Sequence, residues 1–341
     1  MRAAHRAAYR ARMDLPLASE CSYAFITTAA TVEEARRTAE RADAQGWDGV
    51  WVGDHVAFTV PIYDPLLQLA VIGSFSQRLR LGTSVYLLPL RHPVPVAKQV
   101  ATLDRMLGGR LDFGVGVGGE FANEYAACGV PLKERGARLS EGIELLRKLW
   151  SGAPVTHEGR FYPLANVQML PPPAQRELPI LAGGRSDAAL ARIGKLCDGW
   201  ISYVVTAEQY RAGLEKITAA ARAARREPKR FHTGHLLFTL TKNSYEDALA
   251  GATEHLSRRY AMDFRKAAQR YAALGKPADV AARIAELQRA GVRNVIVDVV
   301  GRPEERDEQL ERFASEVRPL LASGASSERH ASDIDDTGRR P

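Results

Sequence analysis

RLRLGTSVYLLPLRHPVPVAKQVATLDRMLGGRLDFGVGVGGEFANE, residues 78–124, decides the fold. An apolar, strand-like run from Leu79 to Leu88 ends at Pro89 and His92-Pro93. Val96, Val100, Leu103 and Leu107 then recur at helical spacing until Gly108-Gly109 stops them, and a second apolar run, Leu111 to Val117, ends in Gly118-Gly119. Strand, helix, strand is a βαβ unit, whose two strands lie parallel in one sheet with a right-handed crossover.

Outward from this stretch the unit repeats. Strands are expected at residues 21–28, 49–55, 179–184, 199–205, 231–241 and 294–301, with helices between them. Thr31 and Glu34 form a capping box that opens the first helix, and Ser186 caps the one after residue 184. Eight strand-like runs alternating with helices predict an α/β protein, a (β/α)8 TIM barrel. Residues 153–178 fit no barrel helix. Their HEGRFY turn and Pro171 to Pro173 spacer predict an insertion before strand five carrying a small hairpin. A helical but loosely patterned segment, 244–276, carries Tyr260, Phe264 and Tyr271. The competing fold is a doubly wound sheet, since Gly114, Gly116 and Gly119 match GxGxxG after a strand. That fingerprint also requires a helix at the third glycine, whereas here a loop containing Pro131 follows, so the barrel is the better reading.

The 341 residues are 45% hydrophobic and 26% charged, an ordinary globular composition. The ends distort the net charge of +7: residues 1–13 carry four Arg and no acid, and residues 322–341 carry three Arg against four acids. Without them about +4 remains, too little to imply nucleic acid and compatible with a small anionic ligand. No apolar run reaches the ~18 residues of a membrane span. Cys21, Cys128 and Cys197 have no metal-ligand spacing and read as reduced thiols of a cytoplasmic protein, and no metal site is expected. Residues 1–20 and 322–341 are expected to be disordered tails around a domain at 21–321. Ordered patterning begins only near Cys21, which predicts a translation start at Met13.

A barrel's active site lies at the carboxyl ends of its strands. The chemistry-bearing residues there are Asp54-His55 after strand two, Ser84-Val85 in strand three, Glu120 and Asn123 after strand four, and Gly183-Gly184-Arg185 after strand five. The two glycines open a helix, where free N–H groups and the helix dipole suit phosphate, and Arg185 can add a charge-assisted bond. The competing role of this turn is a tight connection with a Ser cap. His55 is a candidate to bond a cofactor carbonyl or move a proton, or else a hydrogen-bonded structural group. Glu120 is a candidate acid or base, or else a solvated loop carboxylate.

Taken together, GDH (53–55), LGTSV (81–85), PLRHPVPVAKQVATLDRM (89–106), GRLDFGVGVGGEFANE (109–124), LAGGRS (181–186) and CDGW (197–200) resemble the bacterial luciferase-like flavin monooxygenase superfamily, specifically its coenzyme F420-dependent branch. The resemblance covers about residues 22–321. It implies a homodimeric barrel with a tricyclic ring across its mouth, and a backbone bulge with a non-prolyl cis peptide at Ser84-Val85 supporting that ring. By the same matching, Asp54, His55 and Asn123 contact the cofactor, and Gly183-Gly184 hold its phosphate. The implied activity is hydride exchange between the deazaflavin C5 and a small organic substrate, with His55 or Glu120 handling the proton. The insertion and the 260–275 segment are expected to shape substrate choice. The rivals are an FMN-dependent, oxygen-using monooxygenase on the same barrel and a barrel that binds a flavin or deazaflavin without catalysis.

Overall fold

The computed structural model describes residues 15–119 and 121–322. Its strands are β1 (Ser22–Thr27), β2 (Gly49–Val52), β3 (Arg80–Thr83), β4 (Leu111–Val115), β5 (Val155–His157), β6 (Leu164–Val167), β7 (Ile180–Gly183), β8 (Gly199–Tyr203), β9 (His232–Thr241), β10 (Ala273–Gly275) and β11 (Asn294–Val299). The sheet runs β9-β11-β1-β2-β3-β4-β7-β8, and β8 pairs back onto β9 in parallel, closing a barrel of eight strands. The expected (β/α)8 barrel is the fold. The β5-β6 hairpin is antiparallel and falls inside the expected insertion.

The helices are α1 (Val32–Ala44), α2 (Pro65–Ser74), α3 (Pro93–Met106), α4 (Ala122–Ala127), α5 (Arg135–Trp150), α6 (Asp187–Leu196), α7 (Ala207–Ala223), α8 (Tyr245–Tyr260), α9 (Arg265–Tyr271), α10 (Pro277–Arg289) and α11 (Arg306–Arg312). Their starts follow local chemistry. Thr31 Oγ1 accepts from the Glu34 amide at 3.1 Å, while the Glu34 carboxylate reaches one residue beyond the cap, to the Ala30 amide at 2.7 Å. Asp64 caps α2 with Pro65 behind it, and His92 Nδ1 caps α3 by accepting from Val94 at 3.3 Å. His92 therefore has a structural role. Among the described residues no helix is long and apolar enough to cross a membrane.

Two compact units divide the chain. The first takes the described residues up to Leu236 together with Gly291–Ile296, and the barrel closes within it. Across the closure, the Ser22 amide donates to Arg293 O at 2.8 Å and the Arg293 amide to Thr233 O at 2.9 Å. Ala24, Trp51, Leu181, Ile201 and Ile296 fill the barrel axis, each at most 3% exposed, with Val85 packed against them. Gly82 faces the Trp51 indole, where an added Cβ would lie 2.4 Å from the ring, so a bare backbone makes room for a large core side chain.

The second unit, Leu237–Ala290 and the described residues from Val297, contains β10 parallel to the end of β9. The segment at 244–276 is less uniformly helical than its composition implies. Ala261, at φ 52°, ends α8 in the left-handed region, a short α9 follows, and β10 adds a strand. Tyr260 stacks on Phe264 at 5.0 Å across that turn, and Arg259 pairs with Asp298 at 2.6 Å.

Three other features depart from the sequence reading. Strand three stops at Thr83 instead of running to Leu88, and the Ser84-Val85 peptide that follows it is cis. Pairing resumes for one residue at Tyr86, whose amide donates to Gly114 O at 2.8 Å and whose carbonyl accepts from Gly116 at 2.9 Å. The GxGxxG glycines serve packing: a Cβ on Gly114 would sit 2.0 Å from Thr83 O, and one on Gly116 would sit 2.3 Å from Val85 Cγ2. Order also begins before residue 21, since Leu17 bridges Phe231 and the Ala18 carbonyl accepts from Arg293 Nε at 3.0 Å. Residues 1–14, Met13 included, and 323–341 lie outside the described residues.

Candidate active site at the carboxyl end of the barrel

β2 is buried along its whole length, and the chain emerging from it passes through Gly53 to Asp54 and His55. Asp54 is fully enclosed. Its carboxylate accepts from Arg91 Nη1 at 2.6 Å, Arg91 Nη2 at 2.9 Å and the Leu87 amide at 2.8 Å. Burial drives this carboxyl's pKa upward, against the guanidinium and the amide that hold it down. Three donors on two oxygens favour the ionised form. The Arg91 guanidinium also lies 4.3 Å from the Tyr86 ring centroid. Asp54 thus braces the loop that follows β3, instead of standing free toward a ligand.

His55 has a different environment. Its Nδ1 lies 3.2 and 3.1 Å from the two carboxylate oxygens of Glu124, which is 0% exposed. Glu124 Oε1 also accepts the Val56 amide at 2.6 Å and the Ala57 amide at 3.2 Å. The imidazole stacks on Phe58 at 3.9 Å, and Phe121 closes on both rings edge-on. Glu124 reaches this position from α4, where its neighbour Tyr125 is buried and donates to Val117 O.

Ser84 and Val85 form the cis bulge after β3. The Val85 side chain is seated between strand ends, so that an added Cβ on Gly183 would lie 3.1 Å from Val85 Cγ1 and one on Gly116 still closer. Gly184 has φ +126°, and its added Cβ would meet Ala189 at 2.7 Å. Only glycine suits this turn. Its carbonyl accepts from Trp200 Nε1 at 2.8 Å, and Ser186 Oγ caps α6 by accepting from Ala189 at 3.3 Å. The turn leaves bare backbone at the start of a ten-residue helix, a fit for a phosphate group.

The predicted residues are therefore not one uniform cluster. Asp54, His55, the Ser84-Val85 bulge and Gly183 are tied together through Leu87, Glu124 and Val85. Asn123 is exposed on α4, and Arg185 is exposed with Nη1 donating to Val204 O at 3.1 Å. Glu120 lies outside the described residues. Glu124, Arg91, Phe58 and Phe121 were missed. The six-residue α4 is too short to register as a periodic pattern, and a buried acid next to Asn123 reads on paper like any solvated loop carboxylate.

A cavity of about 920 Å³ lies at the opposite end of the barrel, among the strand starts. Arg80, Asp112, Asp198, His232 and Asn294 line it. Catalytic residues of barrels cluster at the carboxyl ends, so this cavity is separate from the site above.

The comparisons converge. F420-dependent glucose-6-phosphate dehydrogenase of Nakamurella multipartita is 37% identical over 175 residues, 47% of this chain and 49% of that one. An uncharacterised protein of Mycobacterium tuberculosis is 33% identical over 183 residues, 48% of this chain and 62% of its relative. The chain thus spans 49% and 62% of the lengths of these two curated relatives. The crystal structure of the monooxygenase RslO1 from Streptomyces bottropensis superposes with a TM-score of 0.75 at 26% identity, covering 87% of this chain and 99% of that one. The pattern of the luciferase-like monooxygenases matches residues 17–317, and with the barrel, its insertion and the bulge after β3 in place, the chain belongs to the luciferase-like monooxygenase family.

Proposed function

We propose that the protein is a coenzyme F420-dependent oxidoreductase that exchanges a hydride between the deazaflavin C5 and a small organic substrate. The observation that carries this reading is the His55 imidazole, held by the buried Glu124 after β2, at the end of the barrel that also carries the Val85 bulge and where barrel enzymes work. The 37%-identical relative named as F420-dependent supports the choice of cofactor. The residues fit such a group: Gly183, Gly184 and the start of α6 suit its phosphate, with Arg185 nearby, and Ser84-Val85 would back its ring. When bound, the deazaflavin supplies the hydride chemistry.

The chain's own contributions are binding, orientation and proton handling. Asp54 holds the Leu87 amide and Arg91, which fixes the loop behind the bulge. His55 presents an imidazole to the substrate side. Glu120 remains a proposed second proton carrier and Asn123 a proposed cofactor contact, and the assembly we propose is a cytoplasmic homodimer. A second reading is an FMN-dependent monooxygenase, of which the likeness to the monooxygenase RslO1 favours the reaction class. Fluorescence titration with oxidised F420 and, in parallel, FMN tests both. Micromolar or tighter binding of F420 alone is expected. Preference for FMN overturns the proposal in favour of the monooxygenase, and binding of either without turnover leaves a non-catalytic barrel.

A further inference from the structure

From the geometry around His55 we infer that Glu124 is a positioning residue: it fixes the imidazole as the Nδ1–H tautomer and so presents Nε2 as the proton acceptor. The inference deepens the proposed function, since it names the atom that takes up, or once protonated returns, the proton accompanying hydride transfer. An ionised carboxylate can only accept hydrogen bonds. Glu124 Oε1 already accepts from two backbone amides, Val56 and Ala57, and with Glu124 as a carboxylate neither oxygen has a hydrogen to give. Oε2 then faces His55 Nδ1 at 3.1 Å, and in a neutral imidazole that nitrogen must carry the hydrogen.

The aromatic neighbours fix the plane of the ring, and the Glu124 contact decides between its two flipped orientations. Phe58 covers one face at 3.9 Å with an interplanar angle of 19°, and Phe121 approaches edge-on at 6.1 Å. A ring flip would turn a carbon toward the Glu124 carboxylate and forfeit a charge-assisted bond, while Glu124, at 0% exposed, has no water to replace it. The His55 side chain itself keeps 19% exposure, and no hydrogen bond to Nε2 exists among the described residues. An orienting carboxylate, an imidazole and an open ring nitrogen form the geometry by which a general base is held in one protonation pattern.

The test is a long-range proton–nitrogen NMR correlation on cofactor-free protein labelled with 15N-histidine, at about pH 8, above the ordinary imidazole titration. His55→Asn assigns the signal. A pyrrole-type Nδ1 and a pyridine-type Nε2 are expected; the reverse pattern, or a mixture of the two, overturns the inference. Glu124→Gln provides the functional arm. Its amide keeps an oxygen for the Val56 and Ala57 amides but turns N–H donors toward Nδ1, which inverts the tautomer. We expect a reversed nitrogen pattern and a kcat loss on the order of 10²–10⁴-fold, with deazaflavin affinity changed less than twofold. A purely structural Glu124 would leave both the pattern and kcat of the Gln variant near wild type, and that outcome also overturns it. The nitrogen pattern is read without any cofactor, so failure of deazaflavin binding would strike the proposed function alone.

Discussion

Removing either member of the Asp54–Arg91 pair should destabilise the protein, and removing both should cost much less than the sum. The Asp54 side chain is 0% exposed and that of Arg91 20%. Asp54→Ala strands the Leu87 amide, worth about 1–3 kcal/mol, and leaves a mostly buried guanidinium. Breaking buried pairs costs about 3–5 kcal/mol, and the partial exposure of Arg91 admits water, so we expect about 3 kcal/mol. Arg91→Ala should cost about 4 kcal/mol, because Asp54 has no exposure and the contact with Tyr86 is lost as well. Protonation caps that cost, since burial already drives the Asp54 carboxyl upward. The double variant strands neither charge, giving a coupling of about 2–3 kcal/mol. Thermal melts of the four proteins measure it, with single-variant shifts on the order of 5 °C expected. Strictly additive shifts would refute the pairing. The same proteins separate a brace from a ligand contact: normal melting of Asp54→Asn with collapsed F420 affinity would mean that Asp54 touches the cofactor directly.

Gly116→Ala places a Cβ 2.3 Å from Val85 Cγ2, and overpacking of this kind costs about 1–3 kcal/mol; adding Val85→Ala should restore melting, and no restoration would show that the clash lies elsewhere. His232 is depressed by burial, so its contribution to stability is present above the unfolded imidazole value near 6.5 and is lost as pH falls through the folded one. Melting temperature should decline on acidification below about pH 6.5, and His232→Gln should flatten that decline; an unchanged slope removes His232 as its source. Cys197 is buried and its thiol pushed up to about 12, so it should resist a disulfide reagent at about pH 8 until the protein unfolds, and rapid reaction in the native state would contradict its burial.

Much of this architecture was legible in one dimension because its signals are local. The Thr31 and Ser186 caps, the helical spacing of Val96, Val100 and Leu103, and the apolar runs that became β2, β4 and β11 depend on neighbours a few residues away. The hairpin in the insertion was readable for the same reason. The end of β3 was not, because the residues from Ser84 to Leu88 are as strand-like as those before them, and the room for Val85 is left by Gly116, just after β4, and Gly183 of β7, both far away in sequence. The left-handed turn at Ala261 was equally silent, since a non-glycine residue takes that conformation only when the surrounding fold requires it.

The site divides along the same line. Sequence alone determined that this is an eight-stranded α/β barrel and which strand ends carry polar residues, because periodicity, capping and glycine punctuation are properties of adjacent residues. Only the tertiary structure decided what those residues do. Asp54 and Arg91 are 37 positions apart, and His55 and Glu124 are 69 apart. Nothing local distinguishes a carboxylate that will brace a loop, or orient an imidazole, from one left in water. That choice rests on burial and on the donors other segments deliver, and these exist only once the chain has folded.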